Sequence, residues 1–413
     1  MRGMRLGLAA IDEICARLDR PERAVPSVLV AGTNGKGSTA AALSAIAEEA
    51  GVAGGLYTSP HLESVTERIR IGRTDVSPDE LDAMLAEVFA ASDRAPEVPV
   101  TYFEAMTAAA FLTFARRRLD LAILEVGLGG RLDATNVAPA SVSVVTAIGL
   151  DHVQELGPTV AAIAGEKAGV FRAGRPALVD GRLPEALASF RAAAARTGAR
   201  LHDMAEESTV SGIDVELSGT AFRLRTPVRD YALETPLRGA HQAANAAMAV
   251  RATELLGELL PAGEAEIARG VAAVRWPGRL ERFTVRGKSV FLDGCHNPDG
   301  ASALGLFIAE TGMDADLVFG AMGDKDLAAM AGVLAPMVHR IRLVPAASDR
   351  AASPDELARR FAPFRDDAEP SPSLAAALDE LLSDPATESI IVAGSLYLVG
   401  EARSLLLSGR FGS

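Results

Sequence analysis

Residues Gly32-Thr33-Asn34-Gly35-Lys36-Gly37-Ser38 combine what a phosphate site needs. Glycines let backbone N–H groups turn toward phosphate oxygens, and the start of a following helix adds partial positive charge. Lys36 is placed to reach the β- and γ-phosphates, and a nearby hydroxyl to meet Mg²⁺. The spacing departs from the strict phosphate-loop pattern, because the leading glycine is close and Gly37 separates Lys36 from Ser38. The plain alternative is a solvent-facing turn with Ser38 as helix N-cap. Such a turn needs neither three glycines nor a lysine between two of them.

Glu125 closes the apolar run Leu121–Glu125, where a phosphate-loop enzyme keeps an acid for Mg²⁺. A strand-end glutamate paired with a surface arginine would look the same. The glycine-rich stretch that follows, to Asn136, tips the reading toward a ligand site at the sheet's C-terminal edge. His152 ends Gly149-Leu150-Asp151-His152 after the next strand, and its imidazole could approach the same metal. Glu166-Lys167 lies on a helix, and taken alone such a pair reads as a solvated face.

These residues require strands to end together. Apolar runs predict strands at Ser27–Ala31, Leu121–Glu125, Val142–Thr146 and Ala177–Val179. Helical patterns fall at Thr39–Ala50, Asp79–Ala91, Phe103–Arg118, Val160–Phe171 and Leu183–Ala195. Such alternation implies a mostly parallel sheet covered on both faces. Between Ser208 and Glu234 short alternating segments such as Thr220–Arg225 predict a small antiparallel patch. Helices resume at His241–Leu260 and Glu264–Val274. Trp276-Pro277-Gly278 then marks a boundary, before a second alternation with strands at Val290–Asp293, Leu317–Phe319, Ile341–Val344 and Ser389–Val392. The fold class is α/β: a phosphate-loop-type domain over 1–275 and a smaller, Rossmann-like α/β domain over 276–413.

Bulk composition agrees. The 413 residues are 49% hydrophobic and 23% charged, which suits a globular chain of two or three domains. A formal charge of −13 argues against non-specific binding to nucleic acid or an anionic membrane. Two cysteines, Cys15 and Cys295, make no disulfide framework, and no apolar run is long enough for a membrane span. The expected compartment is the cytoplasm.

Taken together, the blocks make the chain resemble the Mur ligase superfamily, and within it the dihydrofolate synthase/folylpolyglutamate synthase family. They are AGTNGKGS at 31–38, YTSPHL at 57–62, TERIRI at 66–71, TYFE at 101–104 and ILEVGLGGRLDATN at 123–136. GLDH at 149–152, GEKAGVF at 165–171, HQAANA at 241–246, PGRLE at 277–281, DGCHNPDG at 293–300 and AGSLYLVGE at 393–401 follow in the family's order. TSPHL, EVGLGGRLDATN and HNP are far more specific than the phosphate loop alone.

The resemblance implies that Asn34, Gly35, Lys36, Gly37 and Ser38 hold the phosphates of ATP. It implies that Ser59, Glu125 and His152 ligate Mg²⁺, with two such ions in the site and K⁺ as a further cation. Lys167 resembles the family's carbamylated lysine, whose cation CO₂ converts to an anion. Thr101, Tyr102, Phe103 and Glu104, with Leu132, Asp133 and Ala134, match segments lining a pterin pocket; Met4–Leu6 is a weaker match to it. Asn245, Arg279 and Asp293 match nucleotide contacts, with His296 beside them. Cys295 stands where the family carries alanine.

The implied reaction is amide ligation. A carboxylate of dihydropteroate or a reduced folate attacks the γ-phosphate of ATP, and L-glutamate's amine then displaces phosphate from the acyl phosphate. The resemblance implies a monomer working on small molecules. A ligase for UDP-sugar peptides is disfavoured, because the loop at Gly32 leaves no room for a separate nucleotide-sugar domain. A nucleotide-binding switch would explain the loop and Glu125, but not the HNP block or the pterin segments.

Overall fold

The structure, a computed structural model, describes residues 7–412. The chain divides into two compact units. Among the described residues the first holds 7–213, 221–235 and 242–274, and the second 214–220, 236–241 and 275–412.

The first unit is built on an eight-stranded sheet. Its strands are β1 (Ser27–Ala31), β2 (Gly54–Tyr57), β3 (Ile69–Ile71), β4 (Thr74–Asp75), β5 (Leu121–Glu125), β6 (Val142–Val145), β7 (Pro176–Val179) and β8 (Arg200–Asp203). The order is β4-β3-β2-β5-β1-β6-β7-β8. The pairs from β2 through β8 are parallel, and β3 and β4 extend one edge as antiparallel strands. Every residue of β1, β5 and β6 is buried, which explains their continuous apolar runs. The chain leaves β1 in the centre and turns back on both sides of it, so the strand order reverses there. In open α/β sheets, ligands gather at the carboxyl ends beside such a point.

Register aligns the chemistry. Val30 pairs with Glu125 and Ala31 with Val145, so the acid at the tip of β5 stands level with the start of the phosphate loop. On its other side Tyr57 pairs with Leu124, and the chain continues directly to Ser59. The core beneath joins Tyr57, Phe111 and Phe114 to Leu29 and Leu124. Burying each such side chain stabilises the sheet by roughly 1.5–3 kcal/mol.

The antiparallel patch is present as β9 (Thr209–Val215), β10 (Thr220–Arg225) and β11 (Asp230–Thr235), ordered β11-β10-β9 and joined by tight turns. The second unit has six strands, β12 (Glu281–Val285), β13 (Lys288–Asp293), β14 (Ala315–Phe319), β15 (Ile341–Leu343), β16 (Glu369–Pro370) and β17 (Ser389–Ala393). Their order is β12-β13-β17-β14-β15-β16, parallel except for the hairpin β12–β13. The α/β class, the patch and the second α/β unit agree with the sequence reading.

Each unit encloses one cysteine, Cys15 in the first and Cys295 in the second, both buried and unbridged. Burial pushes both thiols well above their ordinary pKa, aided at Cys15 by Glu22 and at Cys295 by Asp293. Among the described residues no helix is long and apolar enough to cross a membrane.

Candidate active site

The helix after β1 begins at Lys36, three residues earlier than the pattern Thr39–Ala50 suggests. Its N-cap is Gly35 at φ +87°, not Ser38, which is buried inside the first turn. Gly35 is required twice over. Its φ is left-handed, and a Cβ there would lie 2.2 Å from Asn245 Oδ1. The expected nucleotide residue Asn245 thus abuts the loop directly, and its carbonyl accepts from Thr39 Oγ1 at 3.3 Å.

The loop is tied down from β6. Thr33 and Asn34 donate their amides to Ala147 O at 2.8 and 3.2 Å, and Thr146 Oγ1 donates to Asn34 O at 2.7 Å. A Cβ on Gly32 would sit 1.9 Å from Thr146 Oγ1, so that position too tolerates only glycine. Thr146 received no role from the sequence; its place at the tip of a third parallel strand was the available signal. Lys36 Nζ folds over the loop, donating to Gly32 O at 3.0 Å and Thr33 O at 3.1 Å.

Lys167 does not lie on a solvated face. It is 5% exposed, and its Nζ donates to Gly32 O at 2.7 Å, on the same carbonyl as Lys36. Burial, then repulsion from Lys36, pull its pKa down to about 7 against the attraction of Asp151 and Asp133. The 127–136 loop holds this helix close. Arg131 N donates to Glu166 O at 2.9 Å, and a Cβ on Gly130 would meet Lys167 O at 2.7 Å. Glu166 keeps the surface role, paired with Arg131 at 3.0 Å.

Of the expected metal residues, Ser59 and Glu125 are together: the Ser59 amide donates to Glu125 Oε2 at 3.1 Å, and Glu125 is 5% exposed. His152 sits at φ +50° with a half-exposed ring, 4.0 Å from Asp151 Oδ2. Its loop joins the phosphate loop through Thr33 Oγ1, which donates to Gly149 O at 3.1 Å. Among the described residues no three His, Cys, Asp or Glu side chains form a ready metal cluster; the expected set has two such groups and a hydroxyl.

The segments expected at a pterin pocket are partly scaffold. Thr101 and Glu104 form a capping box that starts the helix Tyr102–Arg117. Asp133 accepts from Leu128 N, Thr135 N and Thr135 Oγ1, at 2.9, 3.0 and 2.6 Å, and so shapes its own loop. Burial nevertheless raises its pKa. Phe103 lies against Tyr57, with centroids 6.1 Å apart, and over Gly127, where a Cβ would meet the ring at 2.6 Å. Leu132 and Ala134 flank Asp133, with Ala134 buried. Met4–Leu6 lie outside the described residues.

Two residues in the quoted blocks carry geometry the sequence did not assign. Arg68 Nε donates to His61 Nδ1 at 2.9 Å, which fixes the ring proton on Nε2 when His61 is neutral, and the guanidinium lies 5.3 Å from the Tyr102 ring centre. Burial first, then Arg68, hold the His61 pKa below its ordinary value.

In the second unit Asp293 ends β13 and accepts from Leu280 N and Cys295 N, each at 3.0 Å. Its carboxylate is therefore committed to shaping the loop around it. Arg279 passes over this loop, since a Cβ on Gly294 would lie 2.8 Å from its Nη1. His296 Nδ1 is 3.0 Å from Gly294 O. Burial lowers the pKa of nearby His241, against the opposing pull of Asp293.

Comparison with known proteins adds the following. Residues 30–253 match the Mur ligase middle domain, and residues 278–396 match the Mur ligase glutamate ligase domain. A probable bifunctional folylpolyglutamate synthase/dihydropteroate synthase of Haloferax volcanii is 38% identical, covering 96% of this chain but 48% of its own length. The chain thus spans about half of that relative. The dihydrofolate synthase/folylpolyglutamate synthase of Bacillus subtilis is 32% identical, covering 98% of this chain and 96% of its own. A solved structure of Escherichia coli FolC in complex with DHPP and ADP superposes with a TM-score of 0.89 at 33% identity, covering 99% of this chain and 95% of that one.

Proposed function

The chain belongs to the dihydrofolate synthase/folylpolyglutamate synthase family of Mur ligases, and from that premise we propose that it is an ADP-forming ligase that adds L-glutamate to dihydropteroate and to reduced folates. The observation that carries this is the pair of lysines on one phosphate-loop carbonyl, one of them buried with its pKa near neutrality. A nucleotide switch has no use for a second, sealed lysine there.

The geometry supports the following division of labour. With the Thr33 and Asn34 amides committed to Ala147, the first helical turn from Lys36 to Ser38 faces the phosphates, and Lys36 leaves its two carbonyls to meet the γ-phosphate. Lys167, largely neutral above pH 7, attacks CO₂ through its Nζ lone pair and releases one proton to water, leaving a carbamate anion. That change reverses the local electrostatics: an ammonium there repels Mg²⁺, and a carbamate attracts it.

Ser59, Glu125 and His152 fit as Mg²⁺ residues by donor chemistry: a hydroxyl, a buried carboxylate and an imidazole, on segments anchored to the same loop. Bound there, the metal neutralises phosphate charge; K⁺ and a second Mg²⁺ belong to the same reading. The substrate carboxylate attacks the γ-phosphorus, the bond to the ADP oxygen breaks, and the resulting acyl phosphate is opened by the glutamate amine with loss of phosphate. Because Thr101, Glu104 and Asp133 are engaged as scaffold and Ala134 is buried in the core, the pterin surface falls to Tyr102, Phe103 and Leu132. We assign this work to a domain over 1–275. In the domain over 276–413 we keep Arg279 and His296 as candidate nucleotide residues, with Asp293 holding their loop. The reading places a monomer in the cytoplasm.

The test is ADP release with MgATP, L-glutamate and dihydropteroate. Turnover is expected, and Lys36→Ala should lower it by at least about a thousandfold. Absence of turnover with dihydropteroate and with every reduced folate would remove the substrate assignment.

A further inference from the structure

The bond from Lys167 Nζ to Gly32 O, at 2.7 Å, requires the end of its helix to be held in place. The helix Val160–Lys167 stops at the lysine itself, and the tight turn Ala168–Val170 follows. Two side chains that the reaction above leaves unused close on that turn. Asn136 sends its two Nδ2 hydrogens in different directions, to Gly169 O at 3.1 Å and to Arg131 O at 3.0 Å in the glycine-rich loop. Its Oδ1 accepts from Arg172 Nη2 at 2.7 Å. A flipped carboxamide would turn its NH₂ to the guanidinium and its oxygen to two carbonyls, so the partners fix its orientation.

Arg172 makes the reverse connection. Its Nη2 also donates to Asn136 O at 2.7 Å and Ala138 O at 3.0 Å, and its Nη1 to Val170 O at 3.0 Å. Among the described residues this half-buried guanidinium pairs with no carboxylate, and burial lowers its pKa. A cation drawn partly out of water and given only carbonyl and carboxamide oxygens serves geometry rather than charge pairing. The join is close: a Cβ on Gly169 would lie 2.3 Å from Arg131 Cβ, so turn and loop meet with no side chain between them. These bonds stop short of the phosphate loop, which is tied separately through Thr146 and Ala147. Resting on the ligase reading above, we infer that Asn136, locked by Arg172, is the positioning residue that holds the Lys167 amine over the phosphate loop for carbamylation. In that step the Nζ lone pair forms the N–C bond, a C–O π pair moves to oxygen and one N–H proton passes to water. With the clamp loosened, the amine swings toward solvent, where a proton competes with CO₂ for the same lone pair.

The experiment titrates metal-free protein with ¹³C-bicarbonate at one fixed pH and reads the carbamate resonance that Lys167→Met lacks. Wild type is compared with Asn136→Asp, Arg172→Met and Arg172→Lys. Asn136→Asp keeps the shape and the bonds from Arg172 but turns an oxygen toward Gly169 O and Arg131 O. The bicarbonate concentration giving half the final signal should rise about 10- to 100-fold in Asn136→Asp and Arg172→Met, the span typical of groups that orient a functional ligand. In Arg172→Lys, which keeps the charge but loses the fork, it should rise less. Any unfolded fraction lowers the final signal without moving that concentration. With MgATP, kcat should fall about 10- to 100-fold while the Kd of ADP stays within about twofold. An unmoved half-signal concentration in Asn136→Asp, or a matching loss of ADP binding, overturns the assignment. A wild type without the Lys167 resonance removes instead the carbamate reading on which it rests.

Discussion

Replacing Lys167 by methionine removes a charge from a site that penalises it while keeping much of the volume. The amine's ordinary pKa is 10.5, and in the folded protein it is about 7. Below pH 7 both folded and unfolded chains carry the proton, and the cost of burying an ammonium beside Lys36 is fully present. Between pH 7 and 10.5 the unfolded chain holds a proton that the folded one has lost, so stability from this group rises with pH. At about 1.4 kcal/mol per pH unit, the gap from 10.5 to about 7 amounts to roughly 5 kcal/mol. The assay is urea unfolding of wild type and Lys167→Met across pH 6 to 10 in CO₂-free buffer. The lost bond to Gly32 O shifts the difference between the two by a constant. What matters is its slope, which should favour the wild type increasingly above pH 7. A difference that stays flat across that range would refute the reasoning. In ¹³C-bicarbonate, a carbamate resonance should grow in through the same pH range in wild type and be missing from the variant.

The other substitutions test the loop and the metal residues. Gly35→Ala forces a side chain into a left-handed backbone and onto Asn245. It should cost about 1–2 kcal/mol of stability and weaken nucleotide binding at least tenfold by calorimetry, and an unchanged Kd would count against the loop assignment. Glu125→Gln retains an acceptor for the Ser59 amide but not the charge. It should fold normally, lose roughly a hundredfold in turnover and require more Mg²⁺, as a titration of activity against the metal would show. Cys295→Ala removes only a buried sulfur. It should cost about 1 kcal/mol or less and leave turnover within twofold, and a tenfold loss would give that thiol a role in the reaction.

What was legible in the sequence follows from how each element is stabilised. β1 and β5 matched residue for residue, because a strand buried on both faces must be apolar throughout. β2 was invisible, because Gly54 and Gly55 are poor strand formers. Gly55 is there for packing: a Cβ would meet Phe114 and Leu119 at 2.6 and 2.7 Å, and no local pattern encodes that. β3 and β4 are too short to show periodicity, and β8, at the sheet edge, reads as polar. The pairing of Ser59 with Glu125 follows once β2 lies beside β5. Taken alone Lys167 reads as surface because helical spacing is local, and only the resemblance gave it a place in the site; its burial comes from the 127–136 loop lying against the helix.

The enclosed cysteines give the protein a pair of intrinsic reporters. Each thiol is shielded and held in its unreactive protonated form, so a maleimide reaches it only when the surrounding unit opens. Since Cys15 and Cys295 occupy different units, pulse alkylation followed by peptide mass analysis yields two separate opening curves from a single sample. Adding MgATP or a pteroyl compound and asking which curve slows would then assign each ligand's protection to one half of the chain, without introducing any label site.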